Sequence, residues 1–348
     1  MREFDYTKLK DRTWDSEILG YVAQIHEYKG KQQVLLKQRP LELERLVEIA
    51  KIQSTEASNE IEGIRTTNTR LKQLYADKTA PRTRDEREIM GYRDVLNTIH
   101  ENYEYIPLRS SYILQLHRDL YRYSEKGIGG SFKNTQNYIS ATDGLGNTFV
   151  LFTPLPPYET PEAIDMICAS YNRVLDTQEI DPLILISVVI HDFLCVHPFN
   201  DGNGRMSRLL TTLLLYRSGY HVGKYISLES KIAQNKDLYY DALEASQGGW
   251  YENADDPTPF IKYLLSIILA AYRELDERLE LVGEKSPATE VVRRAVESRL
   301  GKFTKTDILE LCPTLGKTSV ESSLKKLVDQ GILVQHGKGR ATFYTRAC

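Results

Sequence analysis

Cysteine is scarce in this chain of 348 residues, with four in all. Cys168, Cys195, Cys312 and Cys348 lie far apart with no paired spacing, which argues against a disulfide framework or a cysteine zinc site and predicts reduced, mostly buried thiols. No apolar run approaches the length of a membrane span, so no membrane partner is expected. The start, Met1-Arg-Glu-Phe-Asp-Tyr6, lacks the charged-then-apolar order of a signal peptide, and the expected compartment is cytoplasmic. Excess charge is lacking too. A formal net charge of −3 gives no global pull toward nucleic acid, while the apolar fraction of 41% and the charged fraction of 27% are ordinary for a globular protein. The length suffices for two or three domains.

What is present is concentrated in one stretch, His197-Pro-Phe-Asn-Asp-Gly-Asn-Gly-Arg205 followed by Met206-Ser207-Arg208. His197 carries the one side chain in it whose ordinary pKa is near neutrality, so it can take a proton from an attacking hydroxyl. Asp201 is a hard oxygen ligand suited to Mg²⁺, which keeps most of its waters and bridges substrate phosphates. Gly202, Asn203 and Gly204 let the backbone turn tightly and present successive N–H groups to an anion just before an apolar helix begins. Arg205 and Arg208 are three apart, so both are expected to reach one bound polyphosphate. Together these are the parts of a phosphoryl or nucleotidyl transferase. Asp-Gly-Asn-Gly is also a common turn, and His-Pro-Phe could be an ordinary packed loop.

The whole string resembles the core motif of the Fic (filamentation induced by cAMP) family, His-Pro-Phe-x-(Asp/Glu)-Gly-Asn-Gly-Arg-x-x-Arg, with every fixed position filled. Most members of that family transfer AMP from ATP to hydroxyl side chains of proteins. The resemblance implies a mainly α fold, a Fic-type helical core with a small β-hairpin flap, and ATP as co-substrate with Mg²⁺. It implies His197 as the base, Asp201 as the metal ligand, Gly202, Asn203 and Gly204 around the phosphates, and Arg205 and Arg208 on the β and γ groups. Phe199 is expected to anchor the loop in the core.

The flanks fit. Pro182 to Val196 is an apolar run too long for a typical strand and predicts a buried helix that delivers His197 to a loop. Leu209, Leu210, Leu213 and Leu214 recur at helical spacing behind the loop and predict a second packed helix. His191-Asp192 invites comparison with metal phosphohydrolases, but no further His-rich ligand set accompanies the pair, and His191 is read as a satisfied helical histidine.

The first ninety or so residues read as helical, with Pro40 marking a start or break near Arg39. Ser54 to Gly63 closes on a glycine, a common stop just past a helix. In the family many members carry an inhibitory helix with the pattern (Ser/Thr)-x-x-x-Glu-(Gly/Asn). Ser58, Glu62 and Gly63 match it, which implies autoinhibition by a Glu62 carboxylate that takes Arg208 away from ATP; the plain alternative is an acidic face in water. Tyr138 to Pro157 holds two β-prone segments around Asp143-Gly-Leu-Gly-Asn147, the composition of a hairpin, and the resemblance makes it the flap that aligns a target segment. Gly129-Gly-Ser-Phe-Lys-Asn-Thr-Gln136, ahead of it, is similar to the family's Gly-x-(Phe/Tyr)-(Lys/Arg) segment. Asn235, Tyr239 and Tyr240 fit a family helix near the adenine pocket, with aromatic packing open as the alternative.

Gly283 to Pro287 reads as a linker. Beyond it come two short helical patterns, a third at 318–330, and two β-prone runs around Gly337-Lys-Gly339, an order that resembles a winged helix. Residues 285–348 hold 12 Lys/Arg against 6 Asp/Glu, a net of +6 against −9 for the rest. Lys317, Lys325 and Lys326 on or beside the third helix and Lys338 and Arg340 in the wing could touch DNA, but winged helices also bind proteins and dimerise. The expected domains are 1–95, a helical region with the inhibitory helix near 54–63; 96–282, the catalytic core; and 285–348, the winged-helix-like domain. The implied partners are a target protein offering a Tyr, Ser or Thr hydroxyl, DNA or protein at the C-terminal domain, and a second copy in a homodimer. The rival function is a DNA-binding regulator whose Fic core senses a nucleotide.

Overall fold

In the computed structural model every residue is described except 1, 39, 126, 143–145, 283–286, 298–300, 313–314, 338, 340–341 and 348; at 35–38, 40–42, 141–142 and 280–282 the backbone alone is described. The expected hairpin turn at 143–145, the linker at 283–286 and the wing residues Lys338 and Arg340 therefore lie outside the described residues, as do Arg39 and Cys348. The chain divides into two compact units, Met1–Lys29 with Ala50–Ala271, and Gly30–Ile49 with Tyr272–Cys348.

The mainly α character expected from the sequence holds. In chain order the helices are α1 (Ser16–Gln38), α2 (Pro40–Ile61), α3 (Asn68–Tyr75), α4 (Arg84–Asn102) and α5 (Ser110–Leu120). A hairpin of β1 (Ile139–Thr142) and β2 (Thr148–Phe152) follows, then α6 (Thr160–Thr177), α7 (Pro182–Val196), α8 (Asn203–Arg217), α9 (Leu228–Gln234), α10 (Lys236–Gln247) and α11 (Thr258–Val282). The strands pair antiparallel, Thr142 opposite Thr148 and Ser140 opposite Val150, with an irregularity between Ile139 and Ser140. Helix α4 runs unbroken through residues 95 and 96, where the sequence predicts a domain boundary.

The larger unit is built around α7 and α8. Asp181 caps α7 by accepting from the Leu183 N–H, and Pro182 at the first helical position gives up an N–H that had no partner there. Every residue from Leu183 to Val196 is buried, so α7 is enclosed all round rather than along one stripe. Helix α8 packs on it, α6 lies against α7, and α4 packs on α5 and α8. Each Leu, Ile or Val enclosed this way contributes about 1.5–3 kcal/mol. His191 and Asp192 belong to this interior. His191 sits beside Cys195 and Phe260, while Asp192 accepts from the Tyr6 hydroxyl (2.9 Å) and the Trp250 indole (2.7 Å) and pairs with Arg2 (3.1 Å).

In the second unit, α12 (Ala288–Glu297), α13 (Lys305–Leu311) and α14 (Lys317–Asp329) precede a hairpin of β3 (Leu333–His336) and β4 (Phe343–Arg346). Thr304 and Asp307 form a reciprocal capping box at the start of α13. Val291, Val292, Ala295, Val296, Phe303, Ile308, Val320, Leu324, Leu327 and Leu333 make a core of their own. The third helix begins and ends within a residue of the sequence expectation.

Candidate active site

The loop at 197–202 joins the two most deeply buried helices, so its ends are fixed by the core. His197 ends α7 in the left-handed region, φ 50° and ψ 62°, with its N–H donating to the Phe193 carbonyl (3.0 Å). A non-glycine residue holds that conformation only where its surroundings dictate it. Nδ1 lies 3.3 Å from the Leu194 carbonyl, which can only accept, so Nδ1 carries the proton and Nε2 keeps a lone pair. Burial pulls the His197 pKa down to about 4, and the nearby Lys133 ammonium pushes the same way. The imidazole is neutral at pH 7, as a base must be.

Phe199 is fully buried and stacks on the His117 ring at 3.6 Å, the core anchor that the sequence predicts. His117 accepts from the Gly130 N–H at Nδ1 (3.1 Å), so its Nε2–H donates to the Asp201 carbonyl (3.0 Å). Asn203 spends its amide on Phe199, accepting from its N–H (2.9 Å) and donating to its carbonyl (2.8 Å). The Asn203 side chain thus locks the loop, leaving its backbone at the first turn of α8 for an anion. Gly202, at φ 87°, caps α8 from a left-handed conformation. A side chain on Gly204 would collide with the Glu62 Oε1 atom, which places that carboxylate on the backbone of the first turn of α8.

Glu62 lies just past the end of α2, and Gly63 makes the turn with φ 78°. The Glu62 carboxylate accepts from Arg208 Nη2 at 2.8 Å. Ser58, one helical turn earlier, receives the Arg208 Nε–H at its hydroxyl (2.8 Å) and an Nη2–H at its carbonyl (2.9 Å). Arg208 itself is buried. Ser58 and Glu62 therefore both meet Arg208 of α8.

A cavity of about 250 Å³ opens over these groups. Its lining includes Glu62, His197, Asp201, Gly202, Asn203, Gly204, Arg208, Tyr239 and Tyr240, joined by Ile139 and Leu151 of the hairpin and by Glu244 and Gln247 of α10. Tyr239 is buried against Phe260 and Tyr263 as well, so packing and lining coexist in one side chain. Asn235 stands exposed at the start of α10, outside the lining.

Arg205 departs from the expectation that it joins Arg208 on a polyphosphate. It is fully buried, pairs with Glu88 of α4 at 2.9 Å, and donates to the Tyr121 hydroxyl at 2.7 Å. Three residues along a helix turn the side chain by about 60°, enough here to send Arg208 to the cavity and Arg205 to the α4 and α5 side. It ties α8 to α4 and to Tyr121. Lys133 and Asn137 also hold the loop from beneath, and sequence reasoning assigned neither a role; the only signal was the family-like Gly130-Ser-Phe-Lys133 segment.

For Mg²⁺ the residues present fit a site in which substrate supplies most ligands. Asp201 offers a carboxylate on the cavity wall that is 39% exposed, and the described residues hold no cluster of three or more His, Cys, Asp or Glu side chains for a protein-enclosed metal.

Residues 107–215 match the Fic/DOC family model. The chain is 25% identical over 215 residues to protein adenylyltransferase Fic of Culex quinquefasciatus, an alignment that covers 58% of this chain and 37% of the mosquito protein. With protein adenylyltransferase fic-1 of Caenorhabditis elegans it shares 29% identity over 152 residues, 44% of this chain and 25% of that one. The chain thus spans well under half the length of these adenylyltransferases. Among solved structures, a Fic domain containing signaling protein from Bacteroides thetaiotaomicron is 26% identical with a TM-score of 0.61, covering 73% of this chain and 94% of that one. A Fic family protein from Desulfovibrio desulfuricans shares the fold over 97% of both chains, with a TM-score of 0.62 at 20% identity.

Proposed function

We propose that the protein is an adenylyltransferase that moves AMP from ATP to a hydroxyl side chain of a target protein and is autoinhibited by the end of α2. The observation that carries this reading is the meeting, in one cavity, of a neutral imidazole with a free Nε2, the backbone of a helix N-terminus, and a carboxylate suited to Mg²⁺. The names of the mosquito and nematode relatives support it.

The chemistry follows from the groups. His197 Nε2 accepts the proton of a Ser, Thr or Tyr hydroxyl, and the oxygen attacks the α-phosphorus of ATP. The α–β anhydride bond breaks, pyrophosphate leaves, and the target keeps an O–AMP bond. Backbone N–H groups at 202–204 and the Arg208 guanidinium receive phosphate oxygens. Asp201 would hold Mg²⁺, which when bound neutralises polyphosphate charge. We read Tyr239 and Tyr240, which line the cavity, as the flanks of the adenine. Glu62 opposes all of this by occupying Arg208 and the α8 backbone, so that ATP would sit with its α-phosphorus out of line.

The hairpin is suited to align the target. Neither β1 nor β2 carries a charge, and Phe149, Val150 and Leu151 are exposed, the profile of a strand that accepts another. No helix among the described residues is long and apolar enough to cross a membrane, and Cys168, Cys195 and Cys312 are unpaired and buried, which supports a reducing, cytoplasmic setting.

A second reading concerns the C-terminal module. Lys317, Lys325 and Lys326 are exposed on α14 with no salt bridge among the described residues, which favours contact with the phosphates of DNA. Duplex binding that weakens steeply with salt, without transfer of label to any protein, would favour the regulator over the transferase. The test of the main reading is incubation with Mg²⁺, cell extract and ATP labelled on the α-phosphate. A labelled protein band that disappears with His197→Ala is the expected result, and no label with either wild type or Glu62→Gly would overturn it.

A further inference from the structure

Four consecutive carbonyls, from Val196 at the end of α7 to Phe199 in the loop, are held by two residues. The Lys133 ammonium donates to the Val196 carbonyl (2.9 Å), and the Lys133 backbone N–H donates to the Pro198 carbonyl (2.8 Å). The Asn137 amide nitrogen donates to the carbonyls of His197 (3.3 Å) and Phe199 (3.0 Å). The two holders are joined, since the Lys133 ammonium also donates to Asn137 Oδ1 (3.0 Å). We propose that Lys133 and Asn137 form a positioning clamp for His197, tying the loop that carries the base to the root of the hairpin.

Three features carry the assignment. First, the left-handed backbone of His197 is disfavoured for a residue with a Cβ and persists only where neighbours over-determine it. The clamp supplies that constraint on both sides of the residue.

Second, Lys133 is only 3% exposed, and no carboxylate pairs with it among the described residues. Burying an unpaired ammonium is unfavourable, and here it draws the Lys133 pKa down to about 8. A methionine would fill the same space without that penalty. What the ammonium adds is a pair of donated hydrogen bonds, to a loop carbonyl and to the amide that holds its neighbours.

Third, the clamp sits where the hairpin starts. Asn137 is two residues before β1, and Gln136 donates to the Pro154 carbonyl (2.9 Å) just after β2, closing the root. A segment that docks on the hairpin therefore pulls on the same amide that fixes His197.

The inference rests on the reading of His197 as the base, and the test separates the two. The full-length Glu62→Gly protein serves as the parent, with α-labelled ATP and Mg²⁺. Lys133→Met is expected to lower kcat by about a hundredfold and Asn137→Ala by about tenfold, each with KM for ATP within about twofold, and Lys133→Arg to retain most of the parental kcat. A purely structural lysine would show no such split between kcat and KM. Parental kcat in Lys133→Met overturns the clamp. Should that variant fail to fold, parental kcat in Asn137→Ala overturns it instead. If the parent itself transfers no label, the transferase reading is what fails. The clamp is then read by amide hydrogen exchange of residues 194–204 in Asn137→Ala, where faster exchange supports it and unchanged exchange overturns it.

Discussion

Glu62 and Arg208 meet at 2.8 Å over Gly204, with the carboxylate resting against the backbone that begins α8. The pair closes a triangle with Ser58, whose hydroxyl accepts from Arg208 Nε and whose carbonyl shares Nη2 with Glu62. Everything expected of inhibition by α2 depends on this contact.

Glu62→Gly is expected to raise transfer by about ten- to a hundredfold, since a charge-assisted hydrogen bond contributes roughly 1.5–3 kcal/mol and each 1.4 kcal/mol is tenfold. Because the Glu62 side chain is 33% exposed, the lower end is the better guide. Stability should fall by about 1 kcal/mol, the loss of one hydrogen bond from Arg208 and added backbone freedom at the helix end. Label incorporation and a melting curve on the same sample check both. Equal or lower incorporation with ATP binding preserved would remove the inhibitory role.

His197→Ala should reduce transfer by about 10²–10⁴-fold with ATP affinity nearly unchanged, because it removes a base and no phosphate contact. Asp201→Ala should behave differently, losing Mg²⁺-dependent ATP binding together with turnover. Calorimetric titration of each variant with ATP, with and without Mg²⁺, separates them.

With the His197 pKa held near 4, the base stays deprotonated as pH falls from 7 to 5. The acid limb of kcat/KM in the Glu62→Gly protein should therefore lie well below pH 6. Its stability linkage has the opposite sign to that of a histidine with an acidic partner. The folded pKa is below the ordinary value of 6.5, so protonation favours the unfolded chain and this group's contribution declines as pH drops from about 6.5 toward 4. An acid limb centred near 6.5 would show that the imidazole is not held as described.

Deleting 285–348 should leave residues 50–271 folded and able to bind ATP, since the apolar core of α12 to α14 is drawn from within the removed segment. Circular dichroism and ATP titration of the truncated protein check this; an insoluble product would place the boundary elsewhere.

The candidate loop was legible because its residues are adjacent in sequence. His197, Asp201 and the glycine-rich turn fall within twelve residues, and the apolar runs on either side announce the helices that present them. Glu62 was reachable only through a short family pattern, since nothing in its own helix names Arg208 as its partner. Glu88, which claims Arg205, gave no signal, for a buried ion pair between α4 and α8 is set by packing across more than a hundred residues of sequence. Lys133 failed for a related reason. Its partners in the loop are backbone carbonyl oxygens, and backbone atoms leave no mark in a sequence.

The Glu62 carboxylate over Gly204 also amounts to a tethered anion whose local concentration does not vary with anything in solution. A ligand on so short a tether typically competes at effective concentrations in the millimolar range. Nucleotide lacking the terminal phosphate offers fewer oxygens to Arg208, so its affinity should change less than that of ATP when Glu62 is removed. Discrimination between tri- and diphosphate should therefore widen when the carboxylate is removed, so the helix sets how strongly the pocket distinguishes the length of a phosphate chain.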